Sequence, residues 1–322
     1  MVQKTSSRRA EAEGRRIQDK VDSLRKRETK SEKPMQAGQR DYPAKFPAQH
    51  LKKPGLEADL KSPPMFEAPE YRGSGKLQDM AAIITGGDSG IGRAVAVLYA
   101  REGADVAIAY LSEHEDAKAT KQAVEAEGRR CILISGDVAS AKFCKTAVEK
   151  TIAEFGKLDV LVNNAAFQQH VGDILDLSDE QFDRTMKTNL YGYFYMARAA
   201  VPHMKPGSSI IMTGSVTGIL GSAKLLDYSM TKGGIHAFAR SLSSHLVERG
   251  IRVNAIAPGP VWTPLNPADQ PAEKVKKFGS DSSMKRAAQP EEIAPAFVFM
   301  AAPSCSSYIT GELLPIIGGY GE

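Results

Sequence analysis

The sequence predicts an α/β fold: a doubly wound parallel sheet of seven strands with helices on both faces, built as a single domain behind an N-terminal extension. Three observations carry this. Short apolar runs alternate with longer amphipathic ones from about residue 76 onward, the pattern of strand–helix–strand units whose right-handed crossovers bring the strands together in parallel. A glycine-rich turn, TGGDSGIG from Thr85 to Gly92, stands between the first strand and the first helix. The 322 residues, 42% hydrophobic and 25% charged, have the composition of a soluble chain with material for a sizeable core.

Residues 1 to 33 hold 11 Lys/Arg against 6 Asp/Glu, so the tail carries +5 of the chain's net +4 and leaves −1 for the rest. A positive charge confined to a tail argues against a nucleic-acid-binding face on the folded part. Only Ile17, Val21 and Leu24 form a weak helical stripe there, too little to offset the entropy of ordering, and the tail is predicted to be disordered. Residues 34–75 form a proline-rich arm, with Tyr42, Phe46, Phe66 and Tyr71 set among seven prolines. Proline favours extended backbone, and the aromatic residues imply an arm packed on the domain or on a neighbouring subunit.

The domain is expected over 76–322. Its strands are predicted at 80–85, 105–110, 131–135, 158–163, 208–213, 251–257 and 313–317, and its helices near 90–102, 113–128, 140–155, 178–204, 229–249 and 290–301. Cys131, Cys144 and Cys305 are too few and too scattered for a disulfide framework, which fits a reducing cytoplasm. No apolar run reaches the roughly 18 residues of a membrane span. No His/Cys/Glu group has zinc-ligand spacing, so no metal is expected.

The turn places Gly86, Gly90 and Gly92 in the spacing G-x-x-x-G-x-G, with Ser89 and Ile91 between them. Glycines let the backbone turn sharply and approach a ligand, and the helix N-terminus behind them offers N–H groups to a pyrophosphate. The second strand ends in Tyr110, Leu111 and Ser112, where an acidic residue would bond the ribose 2′-OH of NAD. With no acid at the strand end, and Ser112 able to bond a phosphate, the reading favours NADP and leaves NAD open. Tyr228 and Lys232 lie four residues apart in a helical stretch, so the phenol and the ammonium share one face. A nearby positive charge lowers a phenol's pKa, so the pair is either a tuned acid/base or merely two surface residues.

Further along stand Asp137 and Val138 in GDV, NNAA at 163–166, Asn189 in TNLYG, Ser215 in GSV thirteen residues before Tyr228, YSMTK at 228–232, and PGPVWT at 258–263. With these motifs the chain resembles the short-chain dehydrogenase/reductase family from Lys76 to Tyr320. The resemblance implies a Rossmann-type fold and an NAD(P)-dependent enzyme moving a hydride between nicotinamide and a small carbonyl or alcohol substrate. It implies Tyr228 as general acid/base, Lys232 lowering the phenol's pKa and holding the nicotinamide ribose, Ser215 bonding the substrate oxygen, and Asn189 positioning a water that links Lys232 to solvent. Asp137 would meet the adenine amino group with Val138 beside it, and Asn164 would brace the sheet near the ribose with Ala165 next to it. Pro258, Gly259, Val261 and Thr263 would line the nicotinamide and its phosphate. Asp137 and Asn164 also suit turn or helix caps, and Pro258 and Gly259 an ordinary strand exit.

Ala166 stands where the family has glycine. The arm resembles that of a bacterial subgroup with a proline-rich leader. Trp262 and residues 264–286 are expected to form a mobile lid with Phe278 and Met284 as packing residues, and Phe167 to His170 either face substrate or lie on the surface. Family members pair through the helices after the fourth and fifth strands, so a homodimer or homotetramer is expected. The competing reading is a non-catalytic nucleotide-binding sensor or scaffold with a basic interaction tail. The intact Asn, Ser, Tyr and Lys set argues against it, because a sensor has no need of a proton relay.

Overall fold

The computed structural model describes residues 2–25 and 33–319, with side chains from 9–24 and 33–319. It divides into two units, Met1–Pro34 and Met35–Glu322. Residues 26–32 of the expected tail and 320–322 at the end of the expected domain lie outside the described residues. In the first unit, Val2–Arg25 forms a helix, α1, where the composition predicts disorder. Every described side chain from 9 to 24 is exposed, Ile17 by 59% and Leu24 by 51%. Among the described residues of that unit nothing covers its apolar stripe, and local propensity alone is marginal in water for such a helix.

In the second unit the strands are β1 (Ala81–Thr85), β2 (Asp105–Tyr110), β3 (Cys131–Ser135), β4 (Val160–Asn163), β5 (Ser209–Thr213), β6 (Arg252–Pro258) and β7 (Leu313–Ile316). They form one sheet in the order β3-β2-β1-β4-β5-β6-β7. All pairings are parallel, with Thr85 opposite Ala109, Ile84 opposite Val162, and Thr213 opposite Ile256. The inner strands are mostly apolar and buried along their length because both faces are covered. Successive side chains go to opposite faces. Ala82 and Ile84 join Val106, Ile108 and the residues of α2 (Gly90–Arg101) and α10 (Pro290–Ala301) in one core layer. Ile83 joins Ala107, Leu161 and Ile210 on the other face. That face is covered by α4 (Ala141–Phe155), α6 (Gly192–Ala200) and α8 (Leu226–Leu246). Pro315 is tolerated in β7 because that strand is an edge.

The remaining helices are α3 (His114–Ala126), α5 (Asp179–Met186), α7 (Thr217–Leu220), α9 (Ala272–Val275) and α11 (Pro303–Ser306). The single helix predicted over 178–204 is interrupted: a π-helical turn, Lys187–Tyr191, separates α5 from α6. The helix predicted from 229 begins at Leu226, which places Tyr228 inside α8.

The arm lies on its own domain. The Phe46 ring stacks on Trp262 at 3.8 Å, and the Trp262 indole N–H donates to Ser62 O at 2.8 Å. These two rings, Leu51, Leu60, Ala268, Val275 and Ala287 make a third, smaller core. Leu51 N donates to Pro267 O at 2.9 Å, and Met35 N to Met284 O at 2.9 Å. The segment expected as a mobile lid is therefore sewn to the arm: Trp262 is 1% exposed, and Phe278 packs against the same core.

Candidate active site

Strand order reverses between β1 and β4, so the chain leaves these neighbours in opposite directions and opens a crevice beyond their C-terminal ends. A cavity of about 660 Å³ lies there, within the range of small-molecule and cofactor sites. It collects side chains from distant parts of the sequence.

At the chemical end, Tyr228 and Ser215 are each 8% exposed and Lys232 1%. The Lys232 ammonium sits 5.3 Å from the centre of the Tyr228 ring and donates to Thr213 O at 2.7 Å. The Ser215 hydroxyl oxygen accepts from Thr217 N at 3.1 Å and Thr217 Oγ1 at 3.0 Å. A hydroxyl has two acceptor sites and one donor. With both acceptor sites taken, Ser215 has only its O–H to offer.

The electrostatics correct the simple expectation of a lowered phenol. Burial raises the Tyr228 pKa above its ordinary value, against the lowering effect of the Ser215 hydroxyl. Burial also pushes Lys232 down to about 7. For both groups desolvation is the largest cause, because burial disfavours the charged form of each.

Asn189 is wholly buried in the π-turn, where the extra residue turns its side chain inward. Its amide oxygen accepts from Phe167 N at 2.8 Å, and its nitrogen donates to Phe167 O at 2.9 Å and Thr231 Oγ1 at 3.0 Å. Both donor hydrogens are thus committed, and Asn189 clamps the loop after β4 to α8. It does not line the cavity. Asp227 fastens the start of α8 to α5 by accepting from Thr185 Oγ1 at 2.6 Å and Gln181 Nε2 at 3.2 Å.

At the phosphate end, Gly86, Ser89, Gly90 and Ile91 line the cavity. Gly92 does not: a Cβ there would stand 2.0 Å from Gly86 O, so this glycine serves the packing of helix on turn. A Cβ on Gly90, at φ +50°, would meet Thr263 at 2.9 Å. Asn164 donates to Gly86 O at 3.0 Å, accepts from Thr213 Oγ1 at 3.1 Å, and ties β1, β4 and β5 together. Ala165, Val138, Pro258, Gly259, Val261 and Thr263 all line the cavity, as do Tyr110 and Leu111. Asp137 lines it too, with one oxygen held by Arg184 at 2.6 Å and the other by Ala139 N at 2.9 Å. Ser112 is exposed and off the cavity. Glycines with no room for a Cβ and a cavity of this size at the start of α2 fit a dinucleotide.

Sequence reasoning missed several residues. Glu113, one step beyond Ser112, folds back to accept Ser112 N at 2.7 Å and lines the cavity. Asp88, in the turn, is 6% exposed, and burial with Glu113 nearby pushes its pKa up to about 7. His236 lies under Ser215 with Nε2 3.4 Å from Ser215 N, and burial and Lys232 push it down to about 4. The signal for His236 was present, since 228, 232 and 236 share one helical face. His170, which the sequence left either facing substrate or on the surface, lines the cavity and bonds Asp269 at 2.5 Å. No group of three or more His, Cys, Asp or Glu is placed to hold a metal among the described residues.

The family model described as enoyl-(acyl carrier protein) reductase matches residues 86–321. General stress protein 39 of Bacillus subtilis is 51% identical over 280 residues, 87% of this chain and 98% of that protein. NADPH-dependent aldehyde reductase 1, chloroplastic, of Arabidopsis thaliana is 47% identical over 272 residues, 83% of this chain and 94% of that protein. The crystal structure of a short-chain dehydrogenase from Burkholderia cenocepacia J2315 in complex with NADP superposes with a TM-score of 0.71 at 33% identity, covering 76% of this chain and 98% of that one. On its seven-stranded parallel sheet and these matches, the chain belongs to the short-chain dehydrogenase/reductase family of oxidoreductases.

Proposed function

We propose that the chain is an NAD(P)-dependent oxidoreductase interconverting a small carbonyl compound and its alcohol, with Tyr228 as general acid/base. The observation that carries the reading is the convergence of Tyr228, Ser215 and Lys232 on one wall of the cavity whose other end is the glycine turn. When bound, the nicotinamide cofactor supplies or accepts the hydride. Ser215, left with only its O–H to give, donates to the substrate oxygen and stabilises the negative charge that develops there. Tyr228 passes its proton to that oxygen in reduction and takes it back in oxidation. Lys232 keeps one N–H on Thr213 O and has two more for the cofactor's ribose hydroxyls. Asn189 acts by clamping the β4 loop to α8. Asp137, Val138 and Leu111 hold the adenine end, and Pro258, Gly259, Val261 and Thr263 the nicotinamide end.

NADP(H) is favoured because the aldehyde reductase and the Burkholderia dehydrogenase are described with it. A specific observation supports NAD(H) as second reading: Glu113 stands about 20 residues past the glycines, where an acid bonds an unphosphorylated ribose. The arm supports membership of the leader-bearing bacterial subgroup, since the B. subtilis relative aligns over more residues than the segment 76–322 contains. The exposed aromatic face of α6, with Phe194 45% exposed and Tyr191 before it 49%, supports a homo-oligomer. Free cysteines, two of them buried, support a cytoplasmic location. Among the described residues no helix is long and apolar enough to cross a membrane.

The test is oxidation of NADPH and NADH, followed by absorbance, against a panel of aldehydes, ketones and sugars, with cofactor binding measured separately. Turnover abolished in Tyr228→Phe with binding retained is expected. Tight binding without turnover, indifferent to that substitution, would establish the sensor instead.

A further inference from the structure

Glu57 belongs to the arm, outside the family motifs, yet it is 3% exposed and lies against the phosphate turn. Its Oε2 accepts the N–H of Gly90 at 2.7 Å, and its Oε1 accepts from the Arg93 guanidinium at 2.5 Å. Arg93 donates from Nε and Nη2 to the carbonyl oxygen of Asp88 at 3.1 and 2.8 Å, and the Thr120 hydroxyl donates to the same oxygen at 2.7 Å. Three donors thus pin the backbone of the turn, and two of them come from an arginine whose buried charge Glu57 balances. Phe66, also of the arm, covers that guanidinium at 5.2 Å. Asp116 on α3 seats the glutamate by accepting the N–H groups of Glu57 and Ala58 at 2.6 and 3.1 Å.

Gly90 and Ile91 line the cavity and Glu57 does not, so the carboxylate holds the turn from behind. A carboxylate at a helix N-terminus is favoured by the helix dipole, and here it satisfies an N–H that no N-cap side chain serves.

We infer that Glu57 is a positioning residue for the dinucleotide: through Gly90 and Arg93 it fixes the phosphate turn in its binding geometry, which makes the N-terminal arm part of the cofactor site. The inference rests on the reading of the cavity as a nicotinamide-dinucleotide site.

The test is the dissociation constant of NADPH and NADH, read from quenching of protein fluorescence in the full chain, for wild type, Glu57→Ala, Glu57→Gln and Tyr71→Phe. Tyr71 bonds Glu102 at the other end of the arm and serves as a control for docking alone. Glu57→Ala is expected to raise the dissociation constant about tenfold or more, the scale of a lost hydrogen bond to a charged group. Glu57→Gln, which keeps an acceptor for Gly90, is expected to lie between it and wild type. Tyr71→Phe is expected to lower the melting temperature and leave binding within about twofold of wild type. Glu57→Ala binding as wild type does, or Tyr71→Phe weakening binding as much as Glu57→Ala, overturns the inference. Should the alanine variant not fold, Glu57→Gln decides: a rise above about twofold supports the inference, and a smaller one overturns it. Failure of the wild-type chain to bind either dinucleotide would instead strike the underlying functional reading, and the inference with it.

Discussion

Lys232 Nζ stands 5.3 Å from the centre of the Tyr228 ring while giving a hydrogen bond to Thr213 O at 2.7 Å, and both side chains are buried. The same helix face therefore holds a phenol that burial keeps protonated and an amine that burial brings down to about 7. Such a pair is costly for stability and useful for moving a proton near neutral pH.

Tyr228→Phe removes only the proton donor. We expect turnover to fall by about 10² to 10⁴-fold, the usual worth of general acid/base catalysis. Cofactor binding and melting temperature should hold. A variant with more than a tenth of wild-type turnover, in steady-state assays at saturating cofactor, would remove Tyr228 from the mechanism.

Lys232→Met tests the depressed amine. Between about 7 and the ordinary 10.5, unfolded Lys232 carries a proton that the folded form has released. Unfolding then takes up a proton, so wild-type stability should rise with pH across that window. Denaturant unfolding at pH 7 and pH 9 should show this rise in wild type and a smaller one in Lys232→Met. Equal slopes would mean that the buried amine titrates at its ordinary value.

Asp88→Asn tests the opposite sign. With its folded pKa raised from 3.8 to about 7, Asp88 holds a proton in the folded chain that the unfolded chain has lost, so stability falls as pH rises between those values. The asparagine variant should flatten that fall. Dinucleotide affinity, measured from pH 6 to pH 8, should weaken in wild type as the carboxylate ionises beside the glycine turn, and weaken less in the variant.

Gly92→Ala should cost about 1–3 kcal/mol, the range for overpacking. The added methyl would meet Gly86 O at 2.0 Å, so the turn must shift. Calorimetry and cofactor titration should both register the change, and a variant with wild-type affinity would show that the turn tolerates displacement.

Trp262→Ala should destabilise by about 3–5 kcal/mol, as large aromatic truncations in cores do. Phe46 would lose its stacking partner and Ser62 O its donor, so arm and lid should loosen together. Limited proteolysis should then cut near residues 40–60 and 264–286 in the variant at protease levels that spare wild type.

What the sequence determined by itself is local or periodic. Short apolar runs located all seven strands within two residues, because strands covered on both faces are mostly apolar and even the edge strands pack part of their length on the core. Spacing alone placed Tyr228 and Lys232 on one helical face, and the glycine turn marked a wall of the cavity. What the tertiary structure decided depends on groups remote in sequence meeting in a dry place. The direction of the Tyr228 shift follows from burial, which no spacing reveals. The π-turn that buries Asn189 breaks a run that reads as one continuous helix. Glu113 and Asp88 became neighbours only when β2 and the turn after β1 were laid side by side, and Glu57 reached Gly90 only when the arm folded back across the domain. Periodicity records which face of an element is dry; packing alone sets which charges share that dryness.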